Sequence, residues 1–158
     1  MKAWPSRPGN RAAMGLLRDI RDAVLGRPEV ILEVVLNEGM LIAAIRNIGS
    51  RPAHDITIEC APPLPGPPGM PPLSDRALFR DLAFLAPGGD IRTLLGYLPA
   101  WREAQAPMQV RVVIRYRNGR GHRYTTRLRH NFDALAGALA GPAIDRVIPP
   151  SPPSGDTL

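Results

Sequence analysis

The sequence predicts an all-β fold, a seven-stranded antiparallel sandwich with an N-terminal amphipathic helix and a short C-terminal helix. Apolar and polar residues alternate over several short segments, which is the period of a half-buried strand. Turns rich in Gly, Asn and Pro separate these segments at a spacing of roughly ten residues. A chain of 158 residues with 5% aromatic content also predicts one domain whose core consists mainly of Val, Ile and Leu.

The N-terminal region changes from a Pro- and Gly-containing tail to a helical pattern. Residues 1–9 are predicted to be disordered, and an amphipathic helix is predicted over residues 10–27 with Asn10 as its N-cap. Met14 opens a second phrase that is suitable for a start, so Met1 and Met14 both remain candidates for the first residue. The apolar stripe of the helix consists of Leu16, Leu17, Ile20 and Val24.

The period changes from 3.6 to 2 after the helix. Strands are predicted over residues 30–36, 40–46 and 54–60, with a turn at residues 37–39 between the first two. The outward positions of the first two strands are apolar, although a solvent-facing sheet would be polar there. We therefore expect the helical stripe, from this chain or from a partner, to cover them. These positions are Ile31, Val35, Met40, Ile42 and Ala44.

The middle of the chain carries weaker signals. Residues 61–73 contain many prolines, which lack a donor for a sheet, and predict a long surface crossover. A weak strand is predicted over residues 78–85. A clearer strand follows over residues 91–97 with Ile91, Thr93, Leu95 and Tyr97 on one side, and a loop over residues 99–107 contains Trp101.

The closing hairpin is the clearest element. Strict alternation over residues 110–117 and 123–129 surrounds a turn at Asn118 to Gly121, and the predicted register places both apolar sets on one face. A short helix over residues 133–140 follows, with Asn131 or Asp133 as its cap. The sandwich is thus predicted over residues 28–141, and residues 142–158 form a Pro-rich disordered tail.

Three phrases resemble those of a known group. IRNIGSRPAHDITI (residues 45–58), LAPGGDI (85–91) and VRVVIRYRNGRGHRY (110–124) are similar to segments of bacterial immunoglobulin-like sandwiches related to the cell-adhesion-related domain found in bacteria. The resemblance covers about residues 30–130. It implies an immunoglobulin-like fold and provides no shared catalytic residues.

Residues that carry enzymatic chemistry do not cluster in the sequence, so we expect a protein that is not an enzyme and holds no metal or cofactor. Cys60 is the only cysteine and is expected to be a buried core thiol. His54 and Asp55 are neighbours in a strand and are therefore expected to point to opposite faces. His122 and His130 have no acidic or thiol partner at the spacing that metal ligands require.

Basic charge is the one polar feature with a clear placement. The net charge is +6, and six arginines alternate along the closing hairpin, which predicts one shared outer face. This face is either a solvated surface or a binding surface for nucleic acid, acidic lipid or an acidic protein. Its candidate residues are Arg111, Arg115, Arg117, Arg123, Arg127 and Arg129.

The function predicted first is a non-enzymatic protein-interaction or scaffolding module with an unknown partner and an open oligomeric state. The alternative is an anion-binding module that uses the arginines. The candidate helix-docking or partner face comprises the helical stripe with Ile31, Val35, Met40 and Ile42. One cysteine and no apolar run of about 18 residues predict a cytoplasmic protein without a transmembrane segment.

Overall fold

Seven antiparallel strands form two facing sheets in the computed structural model, which describes residues 20, 25–67 and 69–139. The all-β sandwich predicted from the alternating pattern is confirmed over these residues. The strands are β1 (Val30–Asn37), β2 (Met40–Asn47), β3 (Ala53–Ala61), β4 (Leu82–Leu85), β5 (Asp90–Tyr97), β6 (Gln109–Arg117) and β7 (Arg123–Asn131).

The chain changes sheet three times. One sheet has three strands in the order β1-β2-β5, and the other has four in the order β4-β3-β6-β7. The connections after β2, β4 and β5 pass between the sheets, whereas tight turns join β1 to β2 and β6 to β7. The β1–β2 turn uses Glu38 and Gly39, which both have positive φ, as a two-residue hairpin turn requires.

The core lies between the sheets and consists of the inward members of each alternating strand. Branched aliphatic side chains from both sheets are almost fully buried there, including Leu32, Ile45, Ile58 and Val112. At one end the indole of Trp101 packs edge-on against Phe132, with the ring centroids 5.2 Å apart. This pair of aromatic rings fills that end of the core.

Two strands carry a β-bulge, and near each bulge a side chain lies on a different side of the sheet from the one predicted. In β3 the pairing shifts between His54 and Thr57, so that Asp55 is the extra residue and has a φ of 48°. In β5 the residue opposite β2 shifts between Leu94 and Gly96. His54 and Asp55 therefore share the outer side of their sheet. The exposed Tyr97 lies on the outer side with Leu94, and not on one side with the buried Leu95 as expected.

Two segments form helices that the sequence analysis missed. The strand predicted over residues 78–85 is a helical turn, α1 (Ala77–Arg80), followed by β4. The loop predicted over residues 99–107 contains α2 (Leu98–Glu103), which buries Leu98 and Trp101. α1 buries Phe79, and α2 buries Leu98 and Trp101 at a helical spacing of three, but each helix is too short to establish a period.

The proline-rich segment is anchored rather than confined to the surface. Leu64 and Leu73 are both buried, and the Leu73 amide donates a hydrogen bond to the Leu64 carbonyl at 3.1 Å. A 3-10 helix at Leu73–Asp75 then leads into α1. The extended proline loop therefore closes on itself at two leucines that contribute to the core.

The C-terminal helix of the structure is α3 (Phe132–Leu139), close to the range predicted for it. Its cap is Asn131, whose side-chain oxygen accepts a hydrogen bond from the Asp133 amide at 3.1 Å. The predicted tails at 1–9 and 142–158 lie outside the described residues. So does the predicted helix over residues 10–27, except for Ile20 and residues 25–27.

Candidate functional site

The six arginines of the closing hairpin lie on one outer face. In β6 and β7 the residues opposite each other include Arg111 and Arg129, and Arg117 and Arg123, so odd-numbered positions of both strands share a side. The even-numbered positions of β6 are buried in the core, which forces the arginines outward. We call this surface the arginine face, and its residues are Arg111, Arg115, Arg117, Arg123, Arg127 and Arg129, all exposed.

Two acidic residues of β3 neutralise part of this face. Arg115 forms an ion pair with Glu59, and Arg117 forms one with Asp55. The Asp55 pair depends on the bulge, since the extra residue places the Asp55 carboxylate beside β6. These pairs are exposed to solvent, so each contributes little to stability and serves mainly to orient its guanidinium.

The other end of the arginine face is electrostatically unbalanced. Within the part of the chain that the structure describes, Arg111, Arg127 and Arg129 form no ion pair. Arg111 lies directly opposite Arg129, and Arg127 lies opposite Val113 in the next row. Arg111, Arg129 and Ala61 line two adjoining depressions, and one of these is also lined by Arg127 and by Glu59, the ion-pair partner of Arg115. Like charges directly opposite each other destabilise a strand pair, so this end favours an anion.

An exposed aromatic ring on the same outer surface was missed by the sequence analysis. Phe84 of β4 is 51% exposed and lies opposite His54 of β3, which in turn lies opposite Arg117. The rings of Phe84 and His54 meet edge to face at 5.2 Å. A row therefore crosses all four strands from Phe84 to Arg123. Alternation with the buried Leu85 was the available signal, but the strand was assigned too weakly to use it.

The thiol and the imidazoles have structural surroundings. Cys60 faces the core and is half-buried, and burial raises the pKa of its thiol to about 11. His130 donates from Nε2 to the Leu32 carbonyl at 2.8 Å, and burial lowers the pKa of its imidazole. His122 lies in the β6–β7 turn next to Asn118. In residues 25–67 and 69–139, no three His, Cys, Asp or Glu side chains are grouped to hold a metal ion.

The outer face of the three-stranded sheet has two different halves. One half carries the ion pairs of Arg46 with Glu33 and of Arg92 with Asp90, at 2.9 and 2.8 Å. Ala44 lies between these charged residues and is buried. We call the other half the apolar patch, and it consists of Val35, Met40, Ile42, Leu94 and Tyr97.

The predicted cover of the apolar patch falls largely outside the described residues. Leu16, Leu17 and Val24 are not described, and Ile20 is 54% exposed. Leu25 lies beside Pro52 and the β6–β7 turn, where its carbonyl accepts a hydrogen bond from Arg51 Nε at 2.8 Å. Val35 and Met40 are 43% and 39% exposed, and Ile31 and Ile42 are half-buried.

None of the helices in the described ranges is long and apolar enough to cross a membrane. No curated protein and no solved structure shows a significant match to the chain. The model of the family described as "Domain of unknown function (DUF8453)" matches residues 11–136, and the chain belongs to that family.

Proposed function

We propose that the protein is a non-enzymatic interaction module that binds polyanionic partners through the arginine face. The observation that carries this proposal is the group formed by Arg111, Arg127 and Arg129, which have no acidic partner among the described residues. An anion placed between them would relieve the repulsion between opposed guanidiniums. Arginine also suits this role because its planar fork binds phosphate or carboxylate oxygens through two parallel hydrogen bonds.

The division of the arginine face supports a binding surface over a purely solvated one. Arg115 and Arg117 have acidic neighbours on β3, whereas β3 presents Ala61 opposite Arg111. The unpaired arginines therefore group at one end rather than scattering over the surface. A concentrated positive potential attracts polyanions over a Debye length of about 10 Å at moderate salt.

The experiment compares two triple charge reversals that change net charge equally. Arg111→Glu, Arg127→Glu and Arg129→Glu should abolish binding to a labelled oligonucleotide, to poly-glutamate and to acidic lipid vesicles at low salt. Arg27→Glu, Arg76→Glu and Arg102→Glu change the exposed Arg27 and Arg102 and the partly buried Arg76, all outside the face, and serve as the control. Wild-type affinity should fall steeply with salt, because binding releases counterions. A wild-type protein that binds none of these polyanions at low salt would refute the proposal.

We also propose that the sandwich is immunoglobulin-like. The order β1-β2-β5 opposite β4-β3-β6-β7 supports this, because immunoglobulin-type sandwiches pair their first, second and fifth strands against a sheet that contains the third, sixth and seventh.

The absence of catalytic activity is part of the proposed function, and a panel of hydrolase and transferase assays on purified protein tests it. A robust turnover in any of them would contradict the assignment.

A second candidate function is protein interaction through the apolar patch, with residues 11–25 of this chain as the occupant, in cis or in a second copy. The patch favours it, since four of its five residues are among the largest exposed apolar side chains of the described regions. A helix of 15 residues is about 22 Å long, close to the length of an eight-residue strand such as β1.

A truncation combined with patch substitutions tests this second candidate. Val35→Ser and Leu94→Ser should lower the melting temperature of the full chain but not that of a chain lacking residues 1–24. This truncation retains the Leu25 carbonyl that accepts from Arg51. Coupling between the two changes is the expected result. A truncated chain that is monomeric, equally stable and equally sensitive to the substitutions would show that the segment does not pack there.

A further inference from the structure

Phe84 adds an exposed aromatic ring to the surface that carries the arginine face. A phenyl ring that is about half exposed is an unfavourable choice for a solvated outer position, and this one lies in the same row as two arginines. His54 packs against the ring at 5.2 Å and limits how it can turn. The ring is therefore held on the sheet surface with part of it open to solvent.

We propose that the arginine face binds single-stranded nucleic acid, with a base stacked on Phe84 and the phosphates on the arginines. The proposal rests on the proposed function and names the class of polyanion. Proteins that bind single strands combine a basic groove along the backbone with aromatic side chains that stack on bases. The outer surface of this sheet supplies both elements, since Phe84 lies in the same row as Arg117 and Arg123.

The dimensions of the face suit an extended strand. Neighbouring strands lie about 4.8 Å apart and residues rise by about 3.4 Å, so the corner at Arg111 and Arg129 is about 25 Å from Phe84. Between these two ends lie Thr57 and Thr125, which flank Arg115 in one row. A strand that runs diagonally from Phe84 to that corner would pass the paired arginines first and the unpaired group last.

A duplex fits this surface less well than a single strand. In a duplex the base faces are stacked on each other and cannot meet Phe84, so a duplex would contact only the arginines. The expected preference is therefore for unpaired strands. Tyr116 and Tyr124 of the closing hairpin point into the core, so Phe84 supplies the exposed ring on this surface.

The experiment measures binding of labelled oligonucleotides of about 12 nucleotides, within the usual site size for single-strand binding surfaces. Each affinity is measured by fluorescence anisotropy for a strand with bases, an abasic strand of equal length and charge, and the corresponding duplex. The full chain is compared with Phe84→Ala, with Phe84→Tyr and with Ile48→Ala, which removes an exposed apolar side chain immediately after β2.

Phe84→Ala should weaken binding of the base-containing strand by on the order of tenfold and leave binding of the abasic strand unchanged. Phe84→Tyr should restore the affinity, and Ile48→Ala should have no effect. Equal affinity of the wild-type chain for the two strands, or a Phe84→Ala variant that binds the base-containing strand normally, would overturn this inference. If the triple reversal at Arg111, Arg127 and Arg129 still weakens binding in that case, the polyanion-binding proposal stands without it.

Discussion

The side-chain amide of Asn47 donates a hydrogen bond to the Leu85 carbonyl at 3.1 Å and joins segments that lie 38 residues apart in the sequence. The same amide also donates to the Arg51 carbonyl, and its oxygen accepts from the amides of Glu29 and Gly49. Asn47 is the buried polar residue of the described core and uses all four of its side-chain hydrogen-bonding positions. It therefore ties the start of β1, the β2–β3 turn and the end of β4 together.

Replacement of Asn47 by Ala should lower the free energy of unfolding by about 3–5 kcal/mol, because the buried Leu85 carbonyl and three partly buried backbone groups lose their partner. Asn47→Asp keeps the acceptor but loses both donors and buries a charge facing two carbonyls, so it should destabilise the fold comparably. Urea denaturation measures the free energy of unfolding of both variants. Asn37→Ala, at an exposed position of β1, is the control and should change stability by less than about 0.5 kcal/mol. An Asn47→Ala variant as stable as that control would show that the hydrogen bonds of Asn47 do not stabilise the fold.

Gly49 should be irreplaceable for a steric reason. A Cβ atom at this position would lie well inside 3.0 Å of the Arg27 carbonyl oxygen and the Glu29 amide nitrogen, which belong to backbone and cannot rotate away. Gly49→Ala should therefore lower the free energy of unfolding by about 2–4 kcal/mol. Gly137→Ala in α3 is the matched control, because its Cβ would meet nothing and alanine favours a helix. Thermal denaturation of both variants checks the contrast.

His130 should make the stability depend on pH. Burial lowers the pKa of its imidazole below 6.5 in the folded chain, so the unfolded chain binds protons more readily. The contribution of the neutral His130 to the free energy of unfolding is fully present above about pH 6.5. It is lost as the pH falls from there through the lower pKa of the folded chain.

The variant His130→Gln retains an amide donor for the Leu32 carbonyl but does not titrate. Its unfolding midpoint in urea should change less than that of the wild type between pH 7.5 and pH 5.5. His122→Gln, in the exposed β6–β7 turn, should retain the wild-type dependence. Equal pH dependence in the wild type and His130→Gln would show that other groups are responsible.

Cys60 should react slowly with thiol reagents in the folded state. Its pKa of about 11 lies two units above the ordinary value of 9.0, so the reactive thiolate is on the order of 100-fold rarer at pH 8 than in the unfolded chain. The rate of disulfide exchange with an aromatic disulfide should rise by a similar factor in denaturing urea. A folded protein that reacts as fast as the denatured one would contradict the inward placement of Cys60.

The strands with strict alternation could be predicted almost to their ends. β1 and β6 alternate a buried inner row with a more open outer row, β7 alternates a half-buried row with an exposed one, and β2 departs from the alternation at the buried Ala44. A period of two is visible in these segments without any knowledge of the neighbouring strands. The arginine face follows from the same pattern, since a shift of one residue would bury all six guanidiniums. Short helices such as α1 and α2 escaped prediction because one turn establishes no period.

The sequence by itself determined the sandwich class, the turns and the side of the closing hairpin on which the arginines lie. Only the tertiary structure decided which of these arginines find an acid and which aromatic ring joins them. Asp55 reaches Arg117, and Tyr97 turns outward, because one extra residue in β3 or β5 is accommodated against a partner strand. A bulge is a property of two paired strands, and the pattern within one strand does not contain it.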